Sequence, residues 1–442
     1  MSRIALVVLD TLRKDAFDEY FDWLPGRRFE NCWSPSHWTP PVHASLFTGE
    51  YPADVGVYAK SPALECSRSV LAEQLSAMGY TTRAFSANSL VSREFDFDRG
   101  FDEFTGHWAV RPLNQNNLFD WDEVARKDEN RPRKYLAGLK KCIQSDCDTI
   151  PSIRNAIERK LGRHGIGGKY KDDGATAGLE FVERIEFGDD EFLFLNFMEA
   201  HSPYKSPSNY RSVRTEGFLG IEETIRDSDL DGSIIRESYD GAVKYLANKY
   251  REIFSVLSEK MDYVITVSDH GELFGEHGAW RHDYGVYPEL THVPLIVSGD
   301  EITRTTCNRT ISLTQVYHEI HDHAKGNGTQ NARLFGDVSS QDVLSSYHGI
   351  THKRKTDKLV KNGHDRETIE RYDEPMHGVA TSSGQYAYGD YGGFHTEPGS
   401  DGAAAKDILS ELLAERKSIG SENERIDISD TAAAQLEKLG YL

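Results

Sequence analysis

The chain has 442 residues, of which 38% are hydrophobic, and it carries a formal net charge of −20 at pH 7. That length and apolar content can form a large core, in one big domain followed by a smaller one. The acidity disfavours nucleic acid as a general partner because such a surface repels phosphate backbones, and no apolar run in the sequence approaches the length of a transmembrane segment.

The N-terminus and the cysteines indicate where the protein resides. Residues 1–3 lead directly into an apolar run at 4–9, which leaves no signal peptide, and we therefore expect a cytoplasmic protein. The five cysteines are odd in number and scattered, and only Cys142 and Cys147 are close together. This pattern predicts reduced thiols rather than a disulfide framework or a zinc finger.

Apolar runs alternate with amphipathic stretches along the first 330 residues. Continuous apolar runs of this kind are typical of parallel strands that helices cover on both faces, so the sequence predicts an α/β fold. The predicted strands are residues 4–9, 82–86, 192–198, 263–267 and 295–298. The predicted helices are residues 14–23, 69–78, 175–185, 233–260 and 314–323.

A basic segment, residues 126–171, interrupts this alternation. It contains thirteen Lys and Arg against five Asp and Glu, a local charge of +8 in an otherwise acidic chain. An insertion between two strands can rise over the edge of a sheet, so one interpretation is a cap that attracts an anionic substrate. The alternative is a helical excursion whose charges are simply solvated.

From about residue 330 the sequence becomes richer in Gly, Ser, Asp and charged residues. We predict a strand at 377–381, a Tyr/Gly-rich stretch at 385–394, and helices at 402–416 and 428–439. The chain would then consist of a large domain, residues 1–330, and a smaller C-terminal α/β subdomain, residues 331–442.

Two predicted strands end in residues that can bind a metal ion. Asp10 follows the first strand, and Asp269 and His270 follow the fourth. Open α/β sheets bind ligands at the carboxyl ends of their strands. Two carboxylates and an imidazole are typical of Mn²⁺ or Zn²⁺ sites, and Gly271 would allow the sharp turn that brings both neighbours to one ion. The alternative is a helix-capping aspartate beside a structural histidine.

Between these two segments lies a candidate nucleophile. Thr39 precedes two prolines and a helix-like stretch that ends at Gly49. This arrangement suits a hydroxyl held at a helix N-terminus, and metal coordination would lower its pKa enough to make it reactive. The alternative is that Thr39 only caps the helix.

Several motifs occur in the order found in a known family. After Asp10 and the Thr39 segment they are Gly79-Tyr80-Thr81-Thr82, Glu199-Ala200-His201-Ser202-Pro203-Tyr204, Asp269-His270-Gly271, Glu276-His277-Gly278 and His292-Val293-Pro294-Leu295-Ile296-Val297. On these residues the chain resembles the sulfatases of the alkaline phosphatase superfamily, well over about residues 1–320 and more loosely beyond. The resemblance implies a mixed, mostly parallel sheet between helices.

The chain departs from the family pattern at the nucleophile. The usual signature is Cys-x-Pro-x-Arg followed by Leu-x-Thr-Gly, and here Thr39 takes the place of the cysteine and His43 that of the arginine. A threonine cannot become formylglycine, but threonine is the direct nucleophile in phosphodiesterase relatives. The loss of the arginine removes a bidentate anion grip. Both changes favour phosphoryl over sulfuryl chemistry.

The resemblance also implies ligands and further site residues. One divalent metal would be held by Asp10, Thr39, Asp269 and His270. Manganese or zinc is favoured over calcium, because Thr11 and His270 stand where calcium-dependent relatives carry Asp and Asn; a second ion is not excluded by the sequence. His201 would assist the leaving group, with a pKa suited to proton donation near neutrality, and His282 stands near a family lysine. The predicted substrate-binding residues are His43, His277 and Arg281.

These features predict a metal-dependent hydrolase that cleaves sulfate, phosphate or phosphonate esters through a threonine nucleophile. The expected partner is a small anionic ester, such as a sulfated or phosphorylated glycan or a lipid headgroup. A transferase that passes the group to an acceptor alcohol is the first alternative. A catalytically inactive binding module is the second, and the retained Asp10, Thr39, Asp269 and His270 argue against it.

Overall fold

This computed structural model describes most of the chain. The described residues are 2–106, 139, 141–142, 174–210, 213, 220–326, 334–336, 338–351, 353–390, 392–396 and 401–416. The chain divides into two compact units, residues 1–107 with 173–442, and residues 108–172. The predicted basic cap at 126–171, apart from three residues, and the predicted helix at 428–439 lie outside the described residues.

The strands and helices follow in chain order. The strands are β1 (Arg3–Leu9), β2 (Arg27–Trp33), β3 (Thr81–Ser86), β4 (Glu103–Gly106), β5 (Glu191–Phe197), β6 (Tyr263–Val267), β7 (Leu273–Phe274), β8 (Trp280–Arg281), β9 (Leu295–Ser298), β10 (Thr305–Ser312), β11 (Val343–Tyr347), β12 (Met376–Ala380), β13 (Tyr386–Asp390) and β14 (Gly393–Thr396). The helices are α1 (Lys14–Tyr20), α2 (Thr39–Thr48), α3 (Pro52–Val55), α4 (Leu71–Ala77), α5 (Ala175–Arg184), α6 (Gly220–Ile225), α7 (Gly232–Lys260), α8 (Pro288–Thr291), α9 (Thr314–Ala324), α10 (Lys353–Lys361), α11 (Arg366–Tyr372) and α12 (Gly402–Ala414).

The main sheet is mixed and mostly parallel, as predicted. Among the described residues its strand order is β10-β2-β9-β6-β1-β5-β3-β4. Only β9 runs antiparallel to its neighbours, β2 and β6. The central strands are buried on both faces, which explains their continuous apolar sequences.

Successive residues of β1 show how the sheet builds two hydrophobic cores. Ile4, Leu6 and Val8 pack into the cluster on one face, while alternate residues such as Ala5 and Val7 pack into the cluster on the other. Side chains of a strand point to opposite faces in turn, so one apolar run supplies both cores. The result is a sheet covered by helices on both sides.

The C-terminal part has its own sheet. Strands β11 to β14 form an antiparallel meander, and α12 packs on it through Ala405 and Leu409. This agrees with the predicted α/β character of the C-terminal region. Both sheets belong to the compact unit of residues 1–107 and 173–442, and the division at residue 330 stays a prediction. None of the described helices combines the length and apolar character needed to cross a lipid bilayer.

Candidate active site

The strand order places the functional residues. Strands β6, β1, β5 and β3 are consecutive neighbours and run parallel, so their carboxyl ends meet at one edge of the sheet. Asp10 follows β1, Asp269 follows β6, Asn88 follows β3, and Asn196 lies near the end of β5. Residues separated by up to 259 positions in sequence therefore converge.

Asp10, Asp269 and His270 form a candidate metal site. Their ligand atoms lie within 4.8 Å of one another, and all three side chains are buried. Thr11 braces them: its backbone N–H donates to Oδ1 of Asp269 at 3.1 Å, and its hydroxyl donates to Oδ1 of Asp10 at 2.8 Å. The backbone of Thr11 has a φ of 63°, in the left-handed region. This is a strained conformation of the kind found at functional sites.

The donor set fits a cation. Oδ2 of Asp269 accepts no hydrogen bond from any described residue, although it is fully buried and lies 3.5 Å from Nε2 of His270. Burial, together with repulsion from the Asp10 carboxylate, raises the pKa of Asp269 well above its usual range. Nδ1–H of His270 donates to the Gly271 carbonyl at 3.0 Å, which leaves a lone pair on Nε2. A divalent cation would satisfy all three groups.

Gly271 is needed for a different reason from the one we predicted. We expected it to permit a sharp turn, but it is absent from the residues with positive φ. A Cβ at this position would lie 1.9 Å from the Glu289 carbonyl oxygen. Close approach of two backbone segments, rather than an unusual φ, therefore requires glycine behind His270.

Thr39 is the first residue of α2 and is fully buried. Its hydroxyl lies 3.2 Å from Nε2 of His270, and it donates to that lone pair. The Asn88 side-chain amide approaches the same oxygen at 3.4 Å. The capping position of α2 is Trp38, without a side-chain cap, so the alternative that Thr39 only caps the helix is wrong. The hydroxyl faces the candidate metal site.

Two asparagines that the sequence reasoning missed complete this side of the site. Asn88 Nδ2 donates to Oδ2 of Asp10 at 2.7 Å. Asn196 Nδ2 donates to Nε2 of His43 at 3.2 Å and approaches Asp10 at 3.5 Å. A signal for Asn196 was present, because it is the polar residue within the otherwise apolar stretch of β5. Asn88 has no comparable signal in its sequence neighbourhood.

His43 lies one helical turn after Thr39 in α2. Its Nδ1–H donates to the Thr39 carbonyl at 2.9 Å, and its ring is edge-on to Phe47, Phe97 and Phe194. Burial lowers its pKa to about 4, so the ring is neutral at pH 7. In this position a neutral imidazole fixes the start of α2 through hydrogen bonds.

His282 lies between His201 and His270. The ring centroid of His282 lies 4.6 Å from that of His270 and 5.0 Å from that of His201. Burial and, to a smaller extent, the neighbouring His282 lower the pKa of His201 well below its ordinary value. The near-neutral pKa that we predicted for His201 therefore does not describe the free site. The His201 Nδ1–H donates to the Ser202 carbonyl at 2.7 Å, which leaves a lone pair on Nε2.

Glu272 is a further residue that sequence reasoning missed. It accepts from Nδ1–H of His282 at 2.9 Å and from the Tyr204 hydroxyl at 2.9 Å. Burial raises its pKa to about 8. Glu272 therefore links His282 to the Tyr204 segment that follows His201.

The last two predicted residues have different surroundings. Arg281 is 3% exposed, beside His282 at the end of β8. His277 is partly exposed, forms an ion pair with Glu289 at 3.0 Å and stacks on Tyr287 at 4.2 Å. The hydrogen bond to Glu289 raises the pKa of His277. The structure thus brings Arg281 to the histidine group and engages His277 with residues outside it.

Comparisons with known proteins agree with this geometry. The profile of the sulfatase family matches residues 20–326. The uncharacterized sulfatase YidJ of Escherichia coli (strain K12) is 20% identical over 315 residues, covering 65% of this chain and 58% of that protein. The choline-sulfatase of Rhizobium meliloti (strain 1021) is 23% identical over 315 residues, covering 62% of this chain and 56% of that protein. The chain thus matches a little over half the length of these relatives.

A solved structure shows the same fold along almost the whole chain. The phosphonate monoester hydrolase SpPMH from Silicibacter pomeroyi superposes with a TM-score of 0.61 and covers 94% of each chain. Its sequence is 16% identical, so the likeness establishes the architecture and not the activity.

Proposed function

The chain belongs to the sulfatase family, and we propose that it hydrolyses a phosphodiester or phosphonate monoester through Thr39, with sulfate esters as poorer substrates. One observation carries the proposal: the Thr39 hydroxyl lies at the start of α2, 3.2 Å from Nε2 of His270. It is buried, at the edge of the sheet where the Asp10 and Asp269 carboxylates meet.

Asp10, Asp269 and His270, with the Thr39 oxygen, would hold one divalent metal ion. Two carboxylates and an imidazole suit Mn²⁺ or Zn²⁺ better than Ca²⁺, which prefers an all-oxygen shell. When bound, such an ion lowers the pKa of a coordinated hydroxyl and offsets negative charge on the transferred group. The uncompensated Oδ2 of Asp269 supports this assignment.

The side chains then have distinct tasks in the first step. Thr39 Oγ1 gives up its proton to solvent and forms a bond to phosphorus, while the bond from phosphorus to the leaving alcohol breaks. Asn88, whose amide lies 3.4 Å from Oγ1, orients the attacking oxygen and bonds to Asp10. Positioning and charge compensation of this kind account for most of the rate in phosphoryl transfer.

The leaving oxygen must receive a proton, and His201 is the proposed donor with His282 beside it. In the free site His201 is neutral, because burial lowers its pKa. A bound anionic ester would raise that pKa and allow the ring to carry the proton. In the second step water attacks phosphorus and gives its proton to His201, which is neutral after the first step. The bond from phosphorus to Thr39 breaks, the Thr39 oxygen returns to its deprotonated state, and the anion leaves.

The choice of phosphorus over sulfur rests on two residues. Thr39 cannot be converted to formylglycine, the nucleophile of classical sulfatases. His43 stands where the family pattern has arginine, and its two ring nitrogens are engaged with the Thr39 carbonyl and Asn196. Position 43 therefore lacks the bidentate grip that an arginine would offer there.

The test is an activity panel with matched leaving groups. We expect kcat/KM for a nitrophenyl phosphonate or phosphodiester with Mn²⁺ to exceed that for nitrophenyl sulfate, and chelator to abolish both. Thr39→Ala should reduce kcat by at least about 1000-fold, and Thr39→Ser should restore part of it. Thr48→Ala is the matched control, since Thr48 lies in the same helix and donates to the Ala44 carbonyl.

Mass spectrometry of the quenched reaction should show a covalent adduct on Thr39. A higher kcat/KM for the sulfate would reverse the ranking, and full activity in Thr39→Ala would remove Thr39 as nucleophile. Product analysis in the presence of acceptor alcohols distinguishes hydrolysis from transfer to an alcohol. Transfer to an alcohol in preference to water would identify a transferase that uses the same covalent step.

A further inference from the structure

We propose that Asp283 and Lys355 are positioning residues, whose buried ion pair holds residues 280–283 so that His282 stays between His201 and His270. The inference rests on the proposed function, because it concerns the side of the site where the leaving group departs. It assigns a role in the reaction to a lysine of the C-terminal region, outside the residues 20–326 that match the sulfatase family.

The β7–β8 hairpin sets the position of His282. Leu273 pairs with Arg281 in antiparallel register, so the next residues outward, Glu272 and His282, face each other. The hydrogen bond of 2.9 Å between them follows from this register. Glu272 orients the ring, but it does not fix the backbone beyond β8.

That backbone adopts an unfavourable conformation. Arg281 has a φ of 60°, in the left-handed region that a residue with a Cβ rarely occupies. Such a conformation persists only where surrounding contacts hold it. Trp280, just before it, and Asp283, two residues after it, make contacts that hold the segment.

Helix α6 holds one side of the segment. The backbone N–H of Trp280 donates to the Thr224 hydroxyl at 3.0 Å, and the backbone N–H of Ile221 donates to Oδ2 of Asp283 at 3.2 Å. Gly220 lies directly against it, because a Cβ there would be 2.5 Å from both Oδ2 of Asp283 and the Trp280 carbonyl oxygen. One carboxylate oxygen of Asp283 is thereby fixed.

Lys355 of α10 holds the other carboxylate oxygen. Its ammonium group forms an ion pair with Oδ1 of Asp283 and lies 3.3 Å from the Thr351 hydroxyl. Lys355 is 1% exposed and Asp283 4% exposed, so water does not compete for either charge. A well-packed apolar pair would often stabilise a fold as well as a buried ion pair does. The directional contacts by which Asp283 ties its segment to α6 and α10 are therefore the better explanation for the pair.

The experiment compares Lys355→Met with Lys14→Met. Lys14 is a matched control because it is also buried and paired, with Asp18 and Glu30, and has no contact with Asp283 or Arg281 among the described ion pairs. The substrates are phosphonate monoesters of phenols with increasing pKa, each assayed with Mn²⁺. If Lys355 positions the leaving-group side, kcat/KM should fall about tenfold or more for the phenyl ester and much less for the nitrophenyl ester. Affinity for Mn²⁺ should not change.

A second measurement does not depend on activity. In protein labelled with ¹⁵N-histidine, the side-chain resonance of His282, assigned with His282→Gln, should shift in Lys355→Met and stay in place in Lys14→Met. If Lys355→Met fails to fold, Asp283→Asn with Lys355→Met removes both charges and avoids an unpaired buried carboxylate. The double variant should show the same shift and the same steeper dependence on the leaving group.

The outcomes separate this inference from the proposed function. A parent protein that cleaves none of the esters would overturn the proposed function, while the His282 resonance would still decide whether Lys355 positions the ring. An active parent whose folded Lys355 variants keep both the resonance and the leaving-group dependence would overturn the positioning role alone.

Discussion

At the scale of single residues, the site combines features that a sequence displays with features that only the fold creates. Asp10, Asp269 and His270 were predicted because each follows an apolar run, and their ligand atoms lie within 4.8 Å of one another. Asn88 was missed because its contact with Asp10 depends on which strands are neighbours in the sheet. Strand order is not written in local sequence patterns, so side chains that act through it stay hidden.

The pKa of His201 shows the same limit. Its family position suggested a histidine that titrates near neutrality, but the fold buries the ring beside His282 and lowers its pKa well below the ordinary value. Sequence identifies the residue type, whereas burial and neighbouring charges set its protonation. The role of His201 as a proton donor must therefore depend on the charge that a substrate brings.

Asp269→Asn gives a prediction with opposite effects on binding and stability. The substitution removes a charged ligand, so affinity for Mn²⁺ should fall by roughly 100-fold or more, as measured by calorimetry. In the metal-free protein it should instead raise the melting temperature, because burial beside Asp10 disfavours the Asp269 carboxylate. The comparison with and without metal measures both effects on one protein.

Asp262→Asn is the control for this substitution, because Asp262 accepts a hydrogen bond from the Arg3 backbone at the opposite end of β1. It should leave Mn²⁺ affinity unchanged. Unchanged Mn²⁺ affinity in Asp269→Asn would show that the cluster is not the metal site, whatever its melting temperature.

At the scale of elements, the reliable predictions were the strands buried on both faces. Strands β1, β5 and β6 were predicted within one or two residues, because continuous apolar runs mark them. Strands β2 and β10 were missed. In β10 the burial alternation is broken where its register with β2 shifts between Cys307 and Thr310, and its exposed residues are polar. Without a continuous run or a regular alternation, such a strand has no local signal.

The β7–β8 hairpin was also beyond prediction. Each of its strands has two residues, so neither can display a period, yet its register aligns Glu272 with His282. Very short elements that owe their conformation to packing are the parts of a site that sequence patterns leave out.

Gly220→Ala tests how closely α6 packs against residues 280–283. The added Cβ would lie 2.5 Å from Oδ2 of Asp283 and from the Trp280 carbonyl oxygen, so the helix or the segment must move. We expect destabilisation by about 1–3 kcal/mol in denaturant unfolding and a lower kcat with Mn²⁺ affinity retained.

Gly188→Ala is the matched control, because its only near neighbour is Oε1 of Glu191 at 3.5 Å, an ordinary contact distance. It should change neither stability nor kcat by a measurable amount. Equal behaviour of the two glycine variants would mean that α6 yields easily and does not constrain His282.

At the scale of the whole molecule, the site gathers residues from distant parts of one compact unit. Asp10 and Thr39 come from the N-terminal part, and Asp269 and His270 come from the middle. Lys355, from the C-terminal region, is connected to the site by its ion pair with Asp283. The family match ends at residue 326, before Lys355. A protein cut at that point would keep the metal ligands and lose the contact that holds Asp283.

The described residues of the first compact unit on either side of the second permit a test of the basic segment, residues 126–171. Gly106 pairs with Ser86 at the end of β3, and a Cβ on Gly174 would lie 2.4 Å from that of Ala87, the next residue. Gly106 and Gly174 therefore lie beside two consecutive residues, the last of β3 and the one that follows it. A linker of four Gly and Ser residues, which spans up to about 13 Å, can replace residues 108–172.

If the basic segment attracts an anionic substrate, deleting residues 108–172 should raise KM at low salt and flatten the dependence of KM on salt, because 14 Lys and Arg and 9 Asp and Glu are removed, a net charge of +5. Steering by exposed charges weakens as salt screens them over a Debye length of about 8–10 Å. The deletion should leave Mn²⁺ affinity unchanged, because Asp10, Asp269 and His270 all lie in the other unit. Replacing Arg131, Arg133 and Lys134 by glutamine should reproduce part of the effect without changing the length of the chain. A deletion variant with the salt profile of the parent would assign these charges to ordinary surface, and a loss of Mn²⁺ binding would instead show that the second unit is needed to fold the first.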